Sequence, residues 1–234
     1  MPSKIQSPII VALDVATLQK ARSLVDMLDP TLCRVKIGKE LFTAVGPAVV
    51  EHCVVQGFDV FLDLKFHDIP ATVASACKSA ADLGVWMLTL HACGGEAMMQ
   101  GAIEKIQLAK HQPLLVAVTV LTSMDESQWN KMGSKFNISE AVALYAAMAK
   151  DVGMDGVVSS AHEAQSIKQT CGANFIRVCP GIRWQSSNHD DQSRVMTPIQ
   201  AIEAGASYLV IGRPITQARD PKEALLQCIE QLRV

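Results

Sequence analysis

Short apolar runs alternate along the chain with longer segments in which apolar residues recur at helical spacing. The runs are Pro8–Asp14, Arg34–Gly38, Asp59–Phe66, Trp86–His91, Leu114–Thr122, Gly156–Ser160, Phe175–Pro180 and Tyr208–Gly212. Each is rich in valine, isoleucine and leucine without a regular polar alternate, the pattern of a parallel strand covered on both faces. Between them the spacing predicts helices over Thr17–Leu28, Pro70–Leu83, Gly95–Ala109, Ser139–Val152, Ala161–Gln169, Pro198–Ala204 and Pro221–Leu232. One more, from Leu41 to Gln56, completes the series. Gly46-Pro47 should break or restart it, because proline cannot donate to the helical ladder and clashes with the preceding turn.

Eight strands alternating with eight helices over 234 residues predict an α/β chain folded as a (β/α)8 barrel, one domain spanning 1–234. An open, doubly wound sheet uses the same buried parallel strands, so periodicity alone leaves it as the alternative. No linker, charge run or low-complexity stretch marks a second domain. Two polar loops interrupt the pattern, Ser123–Phe136 after the fifth strand and Arg183–Ser193 after the seventh. Loops of this length after barrel strands commonly act as lids, the other reading being a tolerated surface insertion.

Composition removes several classes of function. A net charge of −2 with 19% charged residues provides no basic field for nucleic acid. The seven cysteines are odd in number and form no C-x-x-C pair, so neither a disulfide framework nor a zinc site is signalled. Buried free thiols in a reducing compartment are expected instead. Met1–Ser7 lacks the basic start and apolar core of a signal peptide, and no run reaches the ~18–20 apolar residues of a membrane span. A cytoplasmic protein is expected.

In a barrel, chemistry is done at the C-terminal ends of the strands. Here those ends carry polar groups on seven of the eight predicted strands: Asp14, Lys36, the Asp63/Lys65/Asp68 group, His91, Thr122-Ser123, Pro180-Gly181-Ile182-Arg183 and Gly212-Arg213. Asp63 and Lys65 are two apart, which on a strand sends both side chains to one face while Leu62 and Leu64 turn to the helices. With Lys36 on the neighbouring strand, the barrel mouth gathers two ammonium groups and at least one carboxylate. An internal salt bridge filling a barrel layer is the bland reading, but desolvation makes such pairs poor sources of stability. Charge clustered at this address favours function.

A lysine beside carboxylates stays protonated, which suits a proton donor better than a Schiff-base nucleophile. Lys36 beside Asp63 also opposes a divalent cation at that point, so no metal is expected. Gly212-Arg213 at the end of strand eight, with Arg183 and Gln192 at either end of the second polar loop, forms a candidate phosphate cradle. His91 reads as a catalytic base or as a hydrogen-bonded strand-end histidine, and His67 as a surface residue.

These residues form a recognisable series. Asp63-x-Lys65-x-x-Asp68-Ile69-Pro70-x-Thr72 resembles the signature of the orotidine 5′-phosphate decarboxylase family. The likeness covers essentially the whole chain. It continues through Ala12-Leu13-Asp14, Val35-Lys36-Ile37-Gly38, Leu90-His91-Ala92 to Gly95, and Val120-Leu121-Thr122-Ser123. Pro180-Gly181-Ile182-Arg183, Asp191-Gln192-x-Arg194-Val195 and Ile211-Gly212-Arg213-Pro214-Ile215 complete it in order. Ala71 departs from the asparagine usual in the family.

The resemblance implies decarboxylation of orotidine 5′-phosphate to UMP and CO2 with no cofactor, the last step of de novo pyrimidine synthesis. By the same resemblance Lys65 protonates C6, Asp63 sits beside the substrate carboxylate, and Lys36 and Asp68 belong to the catalytic charge network. Asp14 and Lys36 bind the ribose hydroxyls, Thr122 and Ser123 the pyrimidine, and Arg183, Gln192, Gly212 and Arg213 the phosphate. Pro180 and Ile69 join the substrate-binding set. Asp68 and Thr72 are implied to reach into a neighbouring subunit's site, making a homodimer the active form. The competing readings are a Mg-dependent sugar-phosphate decarboxylase or synthase of the same barrel group, which holds its metal partly through an acid on strand two, and a non-catalytic barrel that binds a phosphate ligand. A Schiff-base aldolase is a third.

Overall fold

A computed structural model describes residues 7–183 and 196–232. The chain runs β1 (Ile9–Ala12), α1 (Leu18–Met27), β2 (Arg34–Gly38), α2 (Lys39–Val45), α3 (Ala48–Val55), β3 (Val60–Phe66) and α4 (Pro70–Ala81). It continues through β4 (Met87–His91), α5 (Glu96–Ile106), β5 (Leu114–Val118), α6 (Glu126–Lys131), α7 (Ile138–Asp151) and β6 (Gly156–Val158). The last part is α8 (Ala164–Cys171), β7 (Ile176–Cys179), α9 (Pro198–Glu203), β8 (Tyr208–Ile211), α10 (Arg213–Thr216) and α11 (Pro221–Gln231). The strands pair in parallel and in sequence order, and β8 returns to β1 to close the barrel. The open-sheet alternative is thereby set aside.

The alternation of the strands explains the two layers of the core. Ile9, Val11, Val35, Ile37, Leu62 and Leu88 face outward and pack with the helices in one continuous shell. Ile10, Ala12, Phe61, Met87, Val116, Val118, Val158, Val178 and Val210 face inward and fill the barrel, as branched side chains do in this architecture. The N-terminal end of the barrel is stoppered by Arg34. Its guanidinium lies 4.5 Å from the Trp86 ring centroid and 5.1 Å from that of Tyr208, and its Nε stands 3.3 Å from the Asp59 carboxylate. A weakly hydrated, planar cation is suited to this sandwich.

Gly46 ends α2 with φ of 73°, a left-handed turn that a side chain would resist, and α3 restarts after Pro47. The predicted break at Gly46-Pro47 is therefore real. Two expectations need correction. The fifth strand ends at Val118, not Thr122, so Thr122 and Ser123 stand on the loop beyond it. That loop is not wholly irregular either, because α6 forms inside it. Asp125 caps α6 by accepting the Gln128 N–H at 2.8 Å, and the indole of Trp129 is buried and donates to Phe136 O at 2.7 Å. The short α10 after β8 was likewise not anticipated. Both helices are one to two turns long, too short to show a period of 3.6.

Candidate active site

The mouth of the barrel is built outward from Asp63. Register places Lys36 beside Ala12 and Phe61, and Asp63 beside Gly38 two residues further along, so the long Lys36 side chain reaches up the barrel to meet Asp14 and Asp63. Lys36 Nζ lies 3.2 Å from Asp14 Oδ1 and 3.8 Å from Asp63 Oδ2, and Lys65 Nζ lies 2.7 Å from the same Asp63 oxygen. The four groups form a chain of alternating sign, Asp14–Lys36–Asp63–Lys65. A β-carbon at Gly38 would come within 3.1 Å of Lys36 Nζ, so glycine at that point leaves the ammonium its room.

Asp63 is buried, and burial alone would push its carboxyl up. Lys65 and then Lys36 outweigh that by charge, helped by hydrogen bonds from Lys65 and Thr89, and the carboxyl is held below its ordinary value. It therefore remains an anion at neutral pH, fixed between two cations.

Lys65 reaches Asp63 by an irregular route. It has φ of 51°, and among the described residues no other non-glycine has positive φ. The ladder between β3 and β4 shifts register between Leu62 and Phe66. A left-handed lysine costs about 1–3 kcal/mol and persists only where its surroundings hold it. The Lys65 N–H is satisfied by Thr89 Oγ1 at 2.8 Å, and that hydroxyl also donates to Asp63 Oδ1 at 3.0 Å. The predicted pairing of Asp63 with Lys65 is thus real, but it depends on a bulge and a threonine that strand periodicity does not reveal.

Above the apolar floor of Phe61, Val118, Val158 and Val210 opens a cavity of ≈ 300 Å³. It is lined by Asp14, Lys36, Asp63 and Lys65 on one side, by Thr122 and Ser123 on another, and by Pro180, Arg183, Gly212 and Arg213 on the third. Closure of β8 onto β1 brings Gly212-Arg213 round to the Asp14 side. Gly181 takes φ of 79° between Pro180 and Ile182. Beyond it Ile182 pairs with Met196, and the Arg183 N–H donates to Met196 O at 3.1 Å. The site therefore offers a fixed charge pair, hydroxyls and two guanidiniums around one small-molecule volume.

Not every predicted residue meets there. Asp68, Ile69 and Thr72 lie outside the cavity of their own chain, exposed at the entry to α4, where the Asp68 carboxylate accepts the Ile69 N–H at 2.6 Å. Gln192 lies outside the described residues. His91 is half-buried beside His67, with ring centroids 5.5 Å apart, and does not line the cavity. Burial, then the His67, Lys39 and Lys65 charges, push its imidazole down to about 4 against the opposing pull of Asp63. Its place at the end of β4, outside the cavity lining, favours the strand-end reading over a catalytic base. Thr89 escaped the sequence reading of the site. A lone threonine in an apolar strand gives no chemical signal.

Residues 7–228 match the model of the family described as orotidine 5′-phosphate decarboxylase / HUMPS. A protein of Saccharophagus degradans named orotidine 5′-phosphate decarboxylase is 53% identical over 96% of this chain and 94% of its own length. One of that name from Legionella pneumophila strain Paris is 54% identical, over 96% of this chain and 98% of its own. Among solved structures, an orotidine 5′-phosphate decarboxylase from Lactobacillus acidophilus superposes with a TM-score of 0.86 at 37% identity. That alignment covers 97% of this chain and 99% of the other. An uncharacterized conserved protein from Geobacillus kaustophilus gives 0.85 at 39%, covering 96% and 100%. A match that spans both barrel layers and every polar strand end of the mouth leaves one conclusion: the chain belongs to the orotidine 5′-phosphate decarboxylase / HUMPS family.

Proposed function

We infer that this chain decarboxylates orotidine 5′-phosphate to UMP and CO2, in the last step of de novo pyrimidine synthesis. The observation that carries the chemistry is the Lys65 ammonium held 2.7 Å from the buried Asp63 carboxylate at the mouth of the barrel. When the bond from C6 to the carboxylate breaks, its electron pair stays in an orbital in the plane of the pyrimidine, where the ring cannot delocalise it. A cation aimed at C6 stabilises that pair as it develops, and Lys65 Nζ then gives C6 its proton. Solvent returns the proton to the amine. Asp63 beside the departing carboxylate raises the energy of the bound substrate relative to the neutral CO2 it releases.

The remaining cavity residues fit the rest of the nucleotide. Asp14 and Lys36 hold ribose hydroxyls, while Thr122 and Ser123 meet the pyrimidine beside Pro180. Arg183, Gln192, Gly212 and Arg213 take the phosphate, whose binding energy orders the site around the reacting end. Asp68, Ile69 and Thr72 serve the site of a second subunit in a homodimer, and their exposure outside their own cavity supports that assignment. The enzyme works in the cytoplasm, and among the described residues no helix is long and apolar enough to cross a membrane.

The test is the fall in ultraviolet absorbance as orotidine 5′-phosphate becomes UMP, followed with EDTA present throughout. Rapid conversion is the expected result. Conversion only after Mg2+ is restored would favour the metal-dependent branch of the barrel group, whose strand-two acid is replaced here by Lys36. UMP binding without turnover would favour a binding protein.

A further inference from the structure

Thr89 lies in β4, fully buried, at a point where three hydrogen bonds close on one another. Its Oγ1 accepts the Lys65 backbone N–H at 2.8 Å and donates to Asp63 Oδ1 at 3.0 Å. Asp63 Oδ2 accepts from the Lys65 ammonium at 2.7 Å. The direction of each bond is dictated by chemistry. A backbone N–H can only donate and an ionised carboxylate can only accept, so the hydroxyl has to take one and give to the other. One small side chain thereby ties the main chain of Lys65 to the carboxylate that holds the tip of the same lysine.

The need for such a tie follows from the backbone. Lys65 sits at φ of 51° where the ladder between β3 and β4 shifts, and the side chain of Thr89 supplies its N–H acceptor. Without the hydroxyl, the left-handed turn loses its anchor and Asp63 Oδ1 loses a donor inside the barrel. Both changes free the ammonium to leave its line of approach.

Resting on the reading of Lys65 as proton donor to C6, we propose that Thr89 is a positioning residue for the decarboxylation, its hydroxyl locking Asp63 and the Lys65 backbone in the arrangement that aims the ammonium. It touches neither substrate nor reacting atoms. Displacements of an ångström at a reacting group are enough to cost orders of magnitude in rate, so the effect should appear in kcat. Valine preserves the shape of threonine and lacks only the hydroxyl. Serine and alanine form a second pair, both without the methyl and differing again in the hydroxyl.

The experiment measures kcat, KM and the pH profile for wild type, Thr89→Val, Thr89→Ser and Thr89→Ala, with UMP affinity by calorimetry and Tm for each. Thr89→Val and Thr89→Ala should lower kcat about 30-fold, as expected for a lost hydrogen bond to a charged group. KM and UMP affinity should stay within about threefold, and Thr89→Ser should remain within about threefold of wild type in kcat. The acid limb of kcat/KM should move to higher pH in the valine and alanine variants alone, because Asp63 has lost a donor that favours its ionised form. Wild-type kcat in Thr89→Val, an unmoved acid limb, or a serine variant as slow as the alanine one would each overturn the proposal. So would a result in which only hydroxyl-bearing variants fold, since the hydroxyl would then be a requirement of folding. Failure of the unmodified chain to decarboxylate is a different outcome, which removes the functional reading and this inference with it.

Discussion

In the proposed reaction Lys65 has to be a cation held rigid by its neighbours and also an acid able to surrender a proton to carbon. The two demands are reconciled by where its partner charge lies. Asp63 is shared with Lys36 at 3.8 Å, so its negative charge does not belong to Lys65 alone. Replacing Lys65 with alanine removes the proton donor and the cation together. Turnover should fall by about a thousandfold or more, the scale of general acid catalysis, while UMP still binds because its phosphate and ribose contacts remain. Steady-state absorbance assays and calorimetry check the two halves, and near-normal turnover would sink the role given to Lys65. His91 makes a prediction about stability instead. Its folded value of about 4 lies below the ordinary histidine value near 6.5, so between those limits the unfolded chain binds a proton that the folded chain refuses. The stability is fully present above about pH 6.5 and is lost as pH falls toward 4. After allowing for solvent screening of a half-buried ring, wild type should lose about 1 kcal/mol more than His91→Gln between pH 7 and pH 5. Urea midpoints at the two pH values decide it. At this scale the two-residue spacing of Asp63 and Lys65 was readable as a shared face. The left-handed lysine and the buried threonine were not, because φ and a cross-strand hydroxyl leave no trace in spacing.

Strands and helices were legible where tertiary burial and local pattern agree. All eight apolar runs became strands because each is covered by helices outside and by barrel contents inside, which suppresses any polar alternation. The misreadings fall after β5 and β8, where α6 is set by the Asp125 cap and the buried Trp129, and α10 by Pro214 in its first turn and the buried Ile215, rather than by a repeating stripe. The segment leading from the Thr122-Ser123 loop into α7 shows the economy of such local devices. Asn137 Oδ1 accepts the Glu140 N–H at 2.9 Å, Glu140 Oε2 accepts the Asn137 N–H at 3.0 Å, and Glu126 at the start of α6 accepts the Ile138 N–H at 3.1 Å. These bonds satisfy donors that the first turn of α7 would otherwise leave open. Asn137→Ala should cost about 1 kcal/mol and lower Tm by about 2–4 °C, with kcat unchanged because α7 lies behind the site. Thermal unfolding and a turnover assay on the same variant test it. A Tm equal to that of wild type would mean that Glu126 alone is enough to cap the helix.

As a whole the barrel separates stability from chemistry by its two ends. The N-terminal end is closed by Arg34 between Trp86 and Tyr208, whereas the C-terminal end gathers charge around an open volume. What periodicity alone left open is the closure of β8 onto β1, which brings Gly212 and Arg213 to the same cavity as Asp14 although they stand near opposite ends of the chain. The same geometry leaves Asp68, Ile69 and Thr72 on the outside of their own cavity, and a residue that serves the site of a partner has to be displayed in this way. If each site of a homodimer takes Lys65 from one subunit and Asp68 from the other, two inactive variants can repair one another. Lys65→Ala and Asp68→Ala should each be nearly inactive alone. Mixed, dissociated and reassembled at equal concentration, half of the dimers are hybrids, and each hybrid has one site with both residues intact. Activity should then return to about a quarter of that of wild type. Recovery near that level requires sharing across a two-fold interface. No recovery, with hybrids demonstrated by differential tagging, would place Asp68 in the service of its own subunit and leave the exposed entry to α4 without a catalytic part.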